Sequence, residues 1–198
     1  MYSIVIPTMW QSEYLFDMLP IYENCELVKE IILIDNFYQK KPKLDKFKKI
    51  KYYSEFKNIF VNPAWNVGVK LSNYEIILAN DDILIQNLME VLMLIKNSDF
   101  DFVGISWDEV DELKIVEIDE FKRNGYGCFM YIKNYIEIPK DYLIFRGDYI
   151  LFNNSKKRGE LFNPKIKGDI AKTRGNNEIF KDISQNDLKK YKINNQVL

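Results

Sequence analysis

The feature that most constrains this fold is a series of short, continuously apolar runs in the first 106 residues. They are YSIVI at 2–6, EIILID at 30–35, NIFV at 58–61, YEIILA at 74–79 and DFVGIS at 101–106. Strands with one wet face alternate apolar and polar residues, whereas continuously apolar strands are covered on both faces. Segments of helical spacing lie between them. Tyr14, Leu15, Met18 and Leu19 recur within 11–22, a short helix fits 67–71, and 83–96 is strongly apolar with helical periodicity. Strand and helix in alternation predict a doubly wound α/β domain, with a mostly parallel central sheet and helices on both faces. The pattern changes after residue 106. Shorter segments at 126–133 and 143–152, separated by Gly, Asn and Pro, read as a smaller α+β half attached to the same single domain of residues 1–198. The lysine-rich stretch 40–51 (KKPKLDKFKKIK) reads as a solvated loop or helix face.

Composition narrows the chemistry. A chain of 198 residues that is 47% hydrophobic can bury a full core, and a net charge of -1 gives no general attraction to nucleic acid or membrane. There is no histidine. Ser-His-Asp and Cys-His catalysis, histidine zinc sites and histidine bases are therefore excluded, and acid–base or metal chemistry falls to carboxylates, lysine, tyrosine or backbone. Cys25 and Cys128, the two cysteines, form no CxxC and read as reduced core residues of a cytoplasmic protein. The amino-terminal residues lack the features of a signal peptide, and no apolar run approaches the roughly 18 residues of a membrane span. Charge is uneven: residues 1–149 hold 17 basic and 24 acidic side chains, and residues 150–198 hold 11 and 5. The basic tail suits a diphosphate, an anionic acceptor or the acidic body itself.

In open α/β sheets ligands bind beyond the carboxyl ends of the strands. Three of the expected strands end in polar residues fit for that place: Pro7-Thr8, Asp35-Asn36 and Asn80-Asp81-Asp82. A single acid there can simply cap the following helix, and Asp82 before Ile83 fits an N-cap. Two adjacent acids exceed what capping requires. Their side chains diverge, so one can hold a metal while the other holds another group. Such hard oxygen donors suit Mg2+ or Mn2+, which takes one or two carboxylates and completes its shell with substrate phosphates.

The order YSIVIPT, EIILIDN and NPAWNVGVKLSNYEIILANDDI resembles the nucleotide-sugar-binding half of GT-A glycosyltransferases of the family-2 type, over roughly residues 2–105. The resemblance implies a nucleoside diphosphate sugar as donor, with UDP favoured, and Mn2+ or Mg2+ as cofactor. It places Pro7 and Thr8 beside the nucleotide and Asp35 with Asn36 at the base. Asn62, Asn66 and Gly68 fall on the family's Asn-x-Gly segment preceding a helix, which makes them candidate substrate-binding residues. Asn80 and Asp81 fall on the ribose or sugar, and Asp82 on the metal.

The second half matches more loosely. FRGDYILF at 145–152 resembles the later Gly-Asp motif, which makes Asp148 the candidate base of an inverting transfer; otherwise Asp148 is a turn acid. Gly127, in GYGCF, resembles the acceptor-side glycine segment or is an ordinary hairpin turn. Trp107 is a candidate stacking surface for a sugar, or a packing residue. Asn186, Asp187 and Tyr191 resemble the closing helix of small, often viral, members, or lie on a surface helix. Many members bring a late histidine to the metal or diphosphate. Here Lys167-Gly168-Asp169 occupies that place, which leaves three alternatives: Asp169 replaces the histidine as a ligand, Lys167 or Lys172 meets the diphosphate directly, or metal dependence is weak or the chain an inactive copy. The acceptor expected is a glycan or a hydroxylated DNA base, and the oligomeric state is open. The alternatives are a non-catalytic nucleotide or sugar binder of the same fold, a nucleotidyltransferase, or a nucleic-acid-binding protein reading through its basic tail. Residues 7–13 contain neither Gly nor Lys/Arg, which disfavours the nucleotidyltransferase.

Overall fold

A computed structural model describes residues 1–37, 43–108, 110–122, 126–168 and 178–195, the last with only part of its side chains. The elements run β1 (Tyr2–Thr8), α1 (Tyr14–Asn24), β2 (Val28–Asp35), β3 (Ile50–Ser54), α2 (Val61–Lys70), β4 (Glu75–Ala79), β5 (Ile83–Ile85) and α3 (Leu88–Lys96). They continue with β6 (Phe102–Ile105), β7 (Lys114–Glu117), β8 (Phe129–Ile132), α4 (Gly147–Asn153), β9 (Arg158–Phe162), β10 (Ile166–Gly168) and α5 (Glu178–Asn195). Eight strands form one sheet in the order β3-β2-β1-β4-β8-β6-β9-β7, and β10 pairs with β5 in a small second sheet. The pairs β3–β2, β2–β1, β1–β4 and β6–β9 are parallel, while β8 runs antiparallel to both β4 and β6.

The continuous apolar runs are buried on both faces, as their composition requires. Ile4 and Ile6 of β1 pack with Leu15, Met18, Leu19 and Tyr22 of α1 and with Val91, Leu92 and Ile95 of α3. Val5, between them, packs on the opposite face with Ala64 and Trp65 of α2 and with Leu151 and Phe152 of α4. Each fully buried Ile or Leu contributes about 1.5–3 kcal/mol, so two continuous aliphatic layers carry most of the drive to fold. Cys25 and Cys128 are both buried and unbridged. Burial pushes the Cys128 thiol up to about 12, with the charge of Asp82 adding to it, so it is not a thiolate at neutral pH.

Three elements differ from the sequence expectation. The third strand is 50–54, starting at the end of the lysine-rich stretch, and not 58–61. It is an edge strand, where Lys51 and Tyr52 stay partly exposed while bonding Glu30 and Asp35, and charged residues on an edge discourage pairing with other chains. Helix α2 begins at Val61, six residues earlier than expected, because Pro63 lies in its first turn, where no intrahelical N–H is needed. The apolar stretch 83–96 splits into β5 and α3. Ile83–Ile85 finds strand partners in Ile166–Gly168, some eighty residues away, which periodicity within a short window does not register.

Candidate functional site

The strand order defines where a ligand crevice must be. The chain passes from β1 through α1 to β2 on one side, then returns through α2 to β4 on the other, so β1 and β4 border the topological switch point. β4 pairs with β1 only as far as Val5–Leu78, while β2 follows β1 to Thr8–Asp35. Pro7 therefore lies where β1 has lost its β4 neighbour, and its missing N–H breaks no bond on that side.

Across this gap the Thr8 hydroxyl donates to Asp81 Oδ2 at 2.6 Å and accepts the Trp10 amide at 2.9 Å. Both Thr8 and Asp81 are buried. Burial pushes the Asp81 carboxyl up to about 6; the Thr8 bond opposes the shift and the neighbouring charge of Asp82 adds to it. Asp82, also buried, does not cap a helix. It is followed by β5, and α3 starts only at Leu88, with Asn87 at its N-cap. The capping explanation for the second acid is thus removed.

Asp35, in register with Thr8, accepts from Trp10, Phe37 and Tyr52 among the described residues. Trp10 Nε1 and the Phe37 amide reach Oδ1 at 3.0 and 2.8 Å, and the Tyr52 hydroxyl reaches Oδ2 at 2.5 Å. The Trp10 indole stacks between Phe16 and Tyr52, an aromatic wall beside this carboxylate. Trp10 takes φ 58°, a left-handed conformation costly for a bulky residue, and Phe60 and Arg146 do the same in the loops before α2 and α4. Asn36 ties the strand end to the loop before α2, receiving the Ile59 amide at 3.2 Å and donating to the Phe60 carbonyl at 3.4 Å.

The second half is brought in through α2 and β8. Asn62 donates its amide to the Leu143 carbonyl at 3.0 Å and its side chain to the Phe145 carbonyl at 3.1 Å. Asn66 holds the 135–138 segment, with Nδ2 on the Ile138 carbonyl and Oδ1 accepting from Tyr135 and the Ile138 amide. Gly68 packs α2 on β1: a Cβ there would lie 2.2 Å from Val5 Cγ1. The Asn80 amide bonds the Cys128 carbonyl at 3.0 Å, which joins the acidic turn to the start of β8.

Asp148 is the second residue of α4 and is partly exposed. Its Oδ2 accepts the Tyr126 amide at 2.8 Å, and its Oδ1 accepts the Tyr149 amide at 2.9 Å. Burial raises its pKa, against these backbone bonds and the charge of Arg146. Gly127 leaves room beside it: a Cβ there would meet Trp65 at 3.5 Å and Asp148 Oδ2 at 3.9 Å. The charges of Asp82 and Asp148 both act on the Cys128 thiol, so the two acids lie in one neighbourhood. Beyond β6, Trp107 is 38% exposed and, with Ser106, Asp108, Asn163, Lys165 and Ile83, lines a cleft of about 470 Å³. The cleft reaches Gly168, whose Cβ would lie 2.7 Å from the Asp82 carbonyl oxygen, so β10 backs directly on the acidic turn. Asp169 and Lys172 lie outside the described residues.

Sequence reasoning missed Trp10 and Tyr52 as partners of Asp35, and the buried Asp187 as a clamp on the loop before α4. Only the left-handed Trp10 backbone marks its special place, and sequence does not show that. Among the described residues no group of three or more His, Cys, Asp or Glu side chains is placed to hold a metal. Asp81 and Asp82 nevertheless supply two hard oxygen donors whose like charges oppose each other. That donor set fits Mn2+ or Mg2+ completed by phosphate oxygens and water.

No known protein family matches the sequence, and no curated protein does. Among solved structures, the chain is similar to S. aureus TarS 1–349, with a TM-score of 0.62 and 16% identity over 82% of this chain. It spans 58% of that chain. The mostly parallel sheet flanked by helices is thus a glycosyltransferase-like fold. Among the described residues, no helix is long and apolar enough to cross a membrane.

Proposed function

We propose that this chain is a glycosyltransferase that moves a sugar from a nucleoside diphosphate sugar, with UDP favoured, to an acceptor hydroxyl. The observation that carries the reading is the Thr8–Asp81 bond across the switch point. It joins the ends of β1 and β4 beside Asp35, and the Asn80–Cys128 bond ties the same acidic turn to the start of β8, two residues from the Tyr126 amide that Asp148 accepts. Asp35 would meet the base, sharing its carboxylate with Trp10 and Tyr52. Asp81 would hold ribose or sugar hydroxyls, and Asp82 the divalent ion, with Asp169 as a further candidate ligand. That ion, when bound, would neutralise charge on the leaving diphosphate.

Asp148 would accept the proton of the acceptor hydroxyl as its oxygen attacks the anomeric carbon, the diphosphate leaving from the opposite face with inversion. Burial raises the Asp148 pKa, and a raised pKa makes a carboxylate a stronger base toward the acceptor proton. Trp107 and the cleft beside it would receive the acceptor, a glycan or a hydroxylated DNA base. Incubation with UDP-sugars and Mn2+ tests the reading through release of UDP. Asp148→Asn should lower that release about 10²- to 10⁴-fold while calorimetric UDP binding survives. Equal loss of both would count against a base role, and tight UDP binding with no turnover in the unaltered chain would favour a non-catalytic binder.

A further inference from the structure

The carboxylate of Asp187, on α5, is 1% exposed and points at the backbone of the 143–145 loop. It accepts the Ile144 amide at 2.9 Å, the Phe145 amide at 3.0 Å and the Leu143 amide at 3.4 Å. A buried carboxylate is costly unless hydrogen-bonded, and charge-assisted bonds to backbone N–H groups are the strong kind. From the other side, Asn62 of α2 binds the Leu143 and Phe145 carbonyls. The loop is thus clamped through its amides by one helix and through its carbonyls by another.

Little slack follows it. Arg146 is left-handed at φ 68°, and a Cβ on Gly147 would lie 2.2 Å from Asn62 Oδ1. Asp148 comes next. We infer that Asp187 is a positioning residue: by docking α5 onto the 143–145 loop it sets the entry to α4 and with it the orientation of Asp148. This rests on the role given to Asp148 above.

The test compares Asp187→Ala and Asp187→Asn with Lys190→Ala, whose partly exposed side chain also joins α5 to this segment, at the Asp141 carbonyl and carboxylate, but touches none of the 143–145 amides among the described residues. UDP release from UDP-glucose with Mn2+, UDP binding by calorimetry and amide exchange at Ile144 and Phe145 are read on each. Asp187→Ala should lower kcat about tenfold or more, with KM and UDP affinity within about twofold, since small misplacements of a reacting group cost rate more than binding. The two amides should exchange faster. Asp187→Asn, which keeps an acceptor oxygen, should recover part of the rate and carries the test if the alanine variant does not fold. Lys190→Ala should match the unaltered chain. An unchanged kcat, or kcat and UDP affinity falling together, overturns the inference. If the unaltered chain releases no UDP, the transferase reading fails alone, and NMR titration of the Asp148 carboxyl decides. A shifted titration in Asp187→Asn supports the coupling, and an unchanged one overturns it.

Discussion

The Thr8 hydroxyl and the Asp81 carboxylate meet at 2.6 Å across the point where β1 and β4 part, 73 residues apart in the chain. This bond holds a buried acid near the boundary of ionisation, because burial and Asp82 raise its pKa while Thr8 lowers it.

Thr8→Val keeps the shape and removes both the bond to Asp81 and the acceptor of the Trp10 amide. The Asp81 carboxyl should titrate above its present value of about 6. Stability should fall by about 1–3 kcal/mol, the cost of leaving buried polar groups unpaired. Carboxyl NMR titration and urea denaturation check the two.

Asp82→Asn removes the like charge beside Asp81, so the Asp81 pKa should fall toward the ordinary carboxylate range. Any gain in UDP affinity on adding Mn2+ should disappear in the same variant. Calorimetry with and without Mn2+ reads this, and an undiminished Mn2+ effect would remove Asp82 as a ligand.

Gly68→Ala drives a methyl to within 2.2 Å of Val5 Cγ1 in the centre of the sheet. Overpacking of this kind costs about 1–3 kcal/mol. The denaturation midpoint should drop, while UDP affinity of the folded protein stays the same. A selective loss of UDP affinity would mean that Gly68 also approaches the ligand.

Glu30, at the opposite end of the sheet, gives the fold an acid-sensitive staple. Burial alone would raise its pKa. The donors Lys51, Asn73 and Ser3 outweigh this and bring it from an ordinary 4.5 to about 2. A folded pKa below the unfolded one means stability that is present above about pH 4.5 and lost as pH falls toward 2. The span corresponds to about 3 kcal/mol. Glu30→Gln should flatten the acid limb of stability measured by urea denaturation between pH 5 and pH 2 (roughly the window set by the two pKa values).

The strands with uninterrupted apolar character were legible because burial on both faces leaves a signal within a few residues. β1, β2, β4 and β6 fall within two residues of their expected bounds. β3 was not, since an edge strand of Ile50, Lys51 and Tyr52 is stabilised by pairing with β2 and not by its own composition. The apolar run at 83–85 was read as the start of a helix for the same reason: Ile83 becomes strand only through Gly168. Of the candidate site residues, Thr8, Asp35, Asp81 and Asp82 were visible as polar groups behind apolar strands. The placement of Asp148 beside Tyr126 was not.

The linear chain by itself determined the layered α/β plan, the absence of histidine chemistry and the positions of acids at the strand ends. These depend on residue type and local period, which neighbours in sequence already fix. Tertiary structure alone decided that Asp81 bonds Thr8, that Asp82 precedes a strand and not a helix, that Trp10 and Tyr52 hold Asp35, and that Asp187 grips the loop before Asp148. Each of these joins groups separated by 17 to 85 residues or turns on such a pairing. Such pairings exist only once the sheet has brought the segments together and excluded the water that would otherwise satisfy them.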